Sequence, residues 1–243
     1  MSTKIKNTNA KKPKKNPNTG LYIAIAVMAV IIVAIVAFFI YDAVSDKSSD
    51  ISEPITQQQG NVSEPQVKAT AENFLEIIDR TDAKKVQFTM NDGQTFTMEL
   101  YPKVAPITVE NFLKLVDEGF YSGLTFHRVI EGFMAQGGAY DPINQANNPA
   151  ESIVGEFSSN GYENNLSHQR GVVSMARTMD PNSASSQFFI CYDDVSSSLD
   201  GEYAAFGYVT EGMETVDSFL SEGTDANDVP NKEVVIKEAK IVE

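Results

Sequence analysis

Apolar and polar positions along the chain fall into three regimes. Leu21 to Ile40 is a run of twenty residues without a charge. At 1.5 Å rise per residue it would make a helix of ~30 Å, the hydrocarbon thickness of a bilayer. From Tyr41 to about Gln66 the residues are mostly Ser, Asp, Gln, Glu, Asn and Pro, too poor in large apolar groups to order themselves. Val67, Ala71, Phe74, Leu75 and Ile78 then recur at helical spacing, which predicts a short amphipathic helix packed on the domain or on a partner.

Beyond residue 83 the pattern shortens to brief strand-like runs. Val86–Met90 and Thr95–Leu100 flank Asn91-Asp92-Gly93-Gln94, a hairpin signal because Asp-Gly tolerates positive φ. Val109, Phe112, Leu113 and Val116 mark one face of a helix, with Thr108 as the expected cap and Gly119 as its end. A strand follows at 126–130, and residues 139–165, rich in Asn, Pro, Ser and Gly, read as long surface loops. Val172–Met175, Gln187–Tyr192 and Ala204–Val209 read as strands, Met213, Val216, Phe219 and Leu220 as a second helix, and Val234–Val242 as a last strand. Many short strands with two helices predict a mainly β fold, a closed antiparallel barrel whose closure removes exposed edges.

Charge sharpens this division. Residues 1–20 hold six lysines and no acid, whereas the remaining 13 basic residues face 33 acidic ones. A basic head before an uncharged span and Asp42, Asp46 and Asp50 after it predict a transmembrane signal-anchor over 21–41, with the 1–20 tail cytoplasmic and 42–243 outside. A cleaved secretory signal is shorter and ends in a small-x-small site, and no such site follows clearly. A lipoprotein would need a cysteine nearby, and Cys191 is the only one in the chain. The expected organisation is therefore tail 1–20, span 21–41, polar linker 42–82 and one domain 83–243. Such an acidic domain would repel nucleic acid and anionic membrane alike, so the expected contact with the bilayer runs through 21–40, with the lysine tail attracted to anionic lipid. One cysteine forbids an internal disulfide, so packing must stabilise the fold, and Cys191 behind Phe188-Phe189-Ile190 reads as an inert core thiol.

The candidate chemistry lies in Phe126-His-Arg-Val-Ile-Glu-Gly-Phe-Met-Ala-Gln-Gly-Gly138. Strict alternation would place Phe126, Arg128 and Ile130 on one face and His127 and Val129 on the other, so Arg128 would stand in a strand covered on both sides. A guanidinium there requires a carboxylate or a ligand. Past Gly132 come an aromatic, a thioether and an amide in Phe133, Met134 and Gln136, a set without a nucleophile or base, suited to an apolar group flanked by peptide carbonyls. His127 and His168 lack a second ligand at metal spacing, and no metal is expected. Ser174 and the serines at 183–186 lack the Gly-x-Ser-x-Gly setting of a hydrolase.

This block, with Ser-Met-Ala at 174–176 and Ser-Gln-Phe-Phe-Ile at 186–190, resembles the cyclophilin family of peptidyl-prolyl isomerases from about Lys84 to the C-terminus. The resemblance implies an eight-stranded barrel capped by two helices and an enzyme that speeds rotation about Xaa-Pro bonds of unfolded or exported polypeptides, without cofactor. It assigns Arg128, Phe133 and Gln136 to catalysis and Met134, Ala176, Arg177, Gln187, Phe189, Leu199 and Tyr203 to substrate binding. Ser198 stands where well-studied eukaryotic members have tryptophan, so tight cyclosporin binding is not expected to carry over. Tyr203 stands for their histidine and Arg177 for their asparagine. A monomer is expected. The alternative is a proline-segment binding module or holdase without turnover, which would not require Arg128.

Overall fold

The computed structural model describes residues 75–141, 146–147 and 150–243. The basic tail, the uncharged run, the stalk and residues 67–74 lie outside them, and among the described residues no helix is long and apolar enough to cross a membrane. Leu75 and Ile78, from the stretch with helical spacing, lie in turns and pack with Tyr101 and Val104.

Nine strands form one sheet: β1 (Lys84–Met90), β2 (Thr95–Leu100), β3 (Thr125–Ile130), β4 (Met134–Asp141), β5 (Ala146–Asn147), β6 (Val172–Met175), β7 (Phe188–Cys191), β8 (Ala205–Glu211) and β9 (Ile236–Val242). The helices are α1 (Pro106–Asp117), α2 (Ser196–Leu199) and α3 (Met213–Asp217), the last continued by a 3-10 turn, Ser218–Leu220. The ladder runs β3-β4-β7-β6-β8-β2-β1-β9, antiparallel throughout, with β5 paired to β4.

The eight-strand path is a curled, open half-barrel, which corrects the expected closure. Between its two ends the described residues form one isolated bridge, Thr125 with Val235, flanked by backbone bonds from Gly123 N–H to Ile236 and from Ile236 N–H to Leu124 (both 2.8 Å). Turns at 226–227 and bends at 231–232 occupy the stretch before β9, so no strand there continues the ladder along β3. Loop carbonyls cover the edge of β3 instead: Val129 N–H donates to Asp228 (2.8 Å) and Phe126 N–H to Val234 (2.9 Å).

The β1–β2 hairpin forms as the sequence predicts, with Thr89 opposite Thr95 and Gly93 at φ 88°. The start of α1 does not. Pro106 opens the helix, Ala105 at the cap offers no side-chain acceptor, and the buried Glu156 carboxylate takes that role from a distant loop. It accepts Ile107 N–H at 3.0 Å, Thr108 N–H at 2.8 Å and the Thr108 hydroxyl at 2.7 Å, so Thr108 is a ligand of the cap rather than the cap. Negative charge at a helix N-terminus is favourable. The other end is as expected: Gly119, at φ 69°, donates to Val116 and Phe120 N–H to Leu115, closing the last turn. The α2 turn was not anticipated, its Ser-Ser-Ser-Leu sequence carrying no helical period.

Alternation on the strands builds two apolar clusters. Inside the curl, Phe88, Phe96, Phe126, Phe188 and Phe206 are joined by Phe112 of α1 and by Phe219. Phe88 stacks on Phe96 at 4.9 Å, and Phe112 meets Phe188 edge-on at 5.3 Å. The opposite face of β4, β7, β6 and β8 carries Met134, Phe189, Cys191, Val172 and Ala205 in a second cluster with Tyr101, Leu166 and Leu199. That second cluster positions the site.

Candidate active site

The pairing of β3 with β4 slips between Phe126 and Arg128: Phe126 lies opposite Gly137 and Arg128 opposite Gln136, with His127 the extra residue of a bulge. The bulge changes which side chains share a face. Phe126 and Val129, three apart, both enter the inner core, whereas Ile130 packs on the outer cluster. Arg128 therefore does not share a face with Phe126, and the strand is not covered on both sides as strict alternation required. The Arg128 side chain is 43% exposed, with Nε 3.4 Å from Asp228 Oδ2, and its two terminal nitrogens have no protein partner among the described residues.

Across the outer face the register sets Arg128 opposite Gln136, Gln136 opposite Phe189, and Phe189 opposite Ser174. Gln136 donates to the Gln187 side-chain carbonyl at 2.9 Å. Met134 and Phe189 are buried and Phe133 partly exposed, giving an apolar floor with one accessible aromatic. The short α2 turn delivers buried Leu199 to the same cluster, with Ser198 exposed beside it. Ala176 N–H donates to the Gln187 backbone carbonyl at 2.9 Å, and Tyr203 meets Phe189 edge-on at 5.9 Å. Arg177 reaches the site through Tyr203, its guanidinium carbon 4.6 Å from that ring. All ten residues expected at the site thus belong to one connected surface.

Under the floor runs a polar chain that the sequence did not disclose. The His168 ring lies nearly parallel to Phe189 at 6.1 Å. Its Nδ1 is 2.8 Å from Asp200 Oδ1 and its Nε2 2.9 Å from Ser174 Oγ. A carboxylate only accepts, so Nδ1 carries a proton toward Asp200, while Nε2 shares a hydrogen bond with the Ser174 hydroxyl. Burial alone would raise the Asp200 carboxyl, but hydrogen bonds from the His168 ring and backbone and from Ser167 hold it below its usual range. The order Ser–His–Asp is that of a hydrolytic relay, yet Ser174 is fully buried and out of substrate reach. The chain fixes Phe189 from behind. No spacing signal could have revealed it, since His168 and Asp200 are 32 residues apart.

His127, in the bulge, is pushed toward neutrality by burial, with the Arg128 charge acting the same way and the Thr125 backbone opposing. Among the described residues no group of three potential ligands is placed to hold a metal.

Residues 85–241 match the family model described as cyclophilin type peptidyl-prolyl cis-trans isomerase/CLD. The chain belongs to the cyclophilin family. It is 39% identical over 172 residues to peptidyl-prolyl cis-trans isomerase A of Dickeya dadantii, covering 67% of this chain and 86% of that one. With peptidyl-prolyl cis-trans isomerase B of Bacillus subtilis it shares 42% over 127 residues, 52% of this chain and 84% of the relative. Among solved structures, a cyclophilin of Cryptosporidium parvum superimposes with a TM-score of 0.59 at 30% identity, covering 66% of this chain and 98% of that one. A second structure of that protein, determined in the presence of the dipeptide Ala-Pro, gives 0.58 at 31% identity over 65% and 99%. The activity of this cyclophilin is peptidyl-prolyl cis-trans isomerisation, and the family acts on Xaa-Pro bonds in polypeptides.

Proposed function

We propose that the isomerisation takes place on the outer face of β3, β4 and β7, with Arg128 as the group that favours the twisted amide. Rotation about a peptide bond costs ~18–20 kcal/mol because its C–N bond has partial double-bond character. A catalyst needs no covalent step. It must seat the prolyl ring, hold the chain on both sides and stabilise the twisted state, in which the nitrogen has regained a lone pair and become an acceptor. The terminal nitrogens of Arg128, without a partner among the described residues and beside the floor of Phe133, Met134, Phe189 and Leu199, carry this reading. Gln136 and Gln187, already joined, and the backbone at Ala176 and Arg177 supply groups for the substrate's carbonyls and amides, and Tyr203 forms a wall.

The test is the cis-trans exchange rate of a short Xaa-Pro peptide, followed by NMR with wild-type domain, Arg128→Ala and Arg128→Lys. Lysine keeps charge but lacks the planar fork, so it should melt like wild type and isomerise far more slowly. Undiminished exchange with Arg128→Ala would remove Arg128 from the mechanism and favour a groove that only grips proline segments.

The uncharged run Leu21–Ile40 and the lysines before it support a second part of the proposal, a membrane-tethered monomer acting on exported chains outside the cell membrane. Protease added to intact cells should release the folded domain and leave a membrane-held fragment bearing the lysine tail. A mature protein starting after residue 40 overturns the tether.

A further inference from the structure

Arg177 and Tyr203, two positions where the chain differs from well-studied members of the family, lie against each other. The Arg177 guanidinium is held between two rings, 4.6 Å from the Tyr203 centroid and 5.0 Å from that of Phe157. Its edge is also occupied. Nε and Nη2 donate to the Glu202 carbonyl at 3.0 and 2.8 Å, Nη1 donates to the Thr178 carbonyl at 3.0 Å, and the Glu202 carboxylate lies 3.4 Å from Nη2. That carboxylate also accepts from the Ser159 hydroxyl at 3.1 Å, tying a third loop into the cluster. The Arg177 side chain is only 13% exposed although the three residues after it are exposed.

Glu202 immediately precedes Tyr203, so one planar group fixes both the backbone before this tyrosine and the face of its ring. The same tyrosine meets Phe189 edge-on at 5.9 Å, giving a connected series Phe157–Arg177–Tyr203–Phe189 that ends in the apolar floor. A lysine would supply the charge but no planar fork. We propose that the Arg177 side chain is a positioning residue of the prolyl pocket, locking Tyr203 as a pre-set wall so that substrate binding does not have to order it. This rests on the location of the groove proposed above. It adds that side-chain order, rather than a contact between the Arg177 side chain and substrate, sets much of the grip on the peptide.

The experiment is a double-mutant cycle, with KM and kcat for an Xaa-Pro tetrapeptide measured by NMR exchange in wild type, Arg177→Met, Tyr203→Ala and the pair. An ordered aromatic wall predicts that Arg177→Met raises KM by about fivefold with kcat nearly unchanged. Arg177→Lys should recover part of this, and adding Arg177→Met to Tyr203→Ala should change KM by less than about twofold. In the substrate-free domain, Tyr203 ring resonances should broaden or average in Arg177→Met, a readout independent of turnover. If Arg177→Met does not fold, Phe157→Leu, which removes only the far ring, takes its place in the cycle. An unchanged KM, or the same factor in both Tyr203 backgrounds, overturns the proposal. Full turnover of Arg128→Ala with a loosened Tyr203 ring would displace the catalytic assignment and leave the clamp standing.

Discussion

Asp228 pairs with Arg128 at 3.4 Å from a backbone conformation that its own side chain disfavours. At φ 63° it is the one non-glycine residue with positive φ among the described residues, and its carbonyl is held by Val129 N–H. The Asp225 carboxylate, accepting Asn227 and Val229 N–H groups, shapes the turn around it. Both partners of the pair are more than 40% exposed, so its contribution to stability is small. Its effect falls on where the guanidinium points. Asp228→Gly removes the carboxylate and relieves strain of about 1 kcal/mol or more. The expected result is a melting temperature at or above that of wild type together with slower exchange of an Xaa-Pro peptide. A variant that melts lower and turns over normally would reverse the assignment.

Phe133 and Phe126 should respond differently to truncation. Phe126, almost fully buried among Phe96, Phe188 and Phe219, should lose about 3–5 kcal/mol of stability as alanine. Phe133 is partly exposed on the outer cluster, so Phe133→Ala should lose turnover with a much smaller change in stability. Urea unfolding and NMR exchange on both variants separate the two.

Two groups give acid sensitivity in separate windows. The folded Asp200 carboxyl lies below its unfolded value of ~3.9, so its contribution is complete above that pH and is lost as pH falls through the folded value. His127 is also lowered, chiefly by burial, so the unfolded chain takes up the proton first and stability declines as pH falls below ~6.5. Urea midpoints against pH should therefore flatten below about 4 in Asp200→Asn and between about 6.5 and the folded His127 value in His127→Gln.

The segment before β1 should behave as part of the folded unit. Ile78 is buried against the cluster of Tyr101 and Val104, and Arg80 Nε lies 2.5 Å from Glu99, itself only 6% exposed. Arg80 is half exposed, so the pair adds little by itself, but removing it leaves Glu99 buried without that partner. A domain beginning at residue 84 should melt roughly 4–10 °C below one beginning at residue 75, on ~1.5–3 kcal/mol for Ile78 alone. Equal melting temperatures would make 75–83 a passive spacer.

Local rules disclosed what is local. Asp92-Gly93 announced its hairpin, Gly119 its helix end, and the apolar runs at 172–175 and 188–191 their strands, because turn chemistry and burial on both faces leave direct marks on composition. The order of three motif blocks disclosed the family. Groups supplied from far along the chain left no such mark: Glu156 capping a helix 48 residues away, Asp200 beneath Phe189, and Asp228 a hundred residues from Arg128. The face of Arg128 was misread for another reason. Period-two alternation assumes an unbroken ladder, and the slip at His127 breaks it.

That slip makes the arginine's placement a matter of counting rather than of chemistry. Many side chains could stand at position 127 and leave Arg128 outward, since the offset comes from one surplus residue in β3 against β4. Closing the bulge while keeping all six residues of β3 would restore plain alternation and put Phe126 and Arg128 on one face, whereas deleting residue 127 would leave Arg128 opposite Gln136 and still outward. Among descendants of this chain, the outward register of Arg128 against Gln136 should therefore be held more tightly than the identity of residue 127.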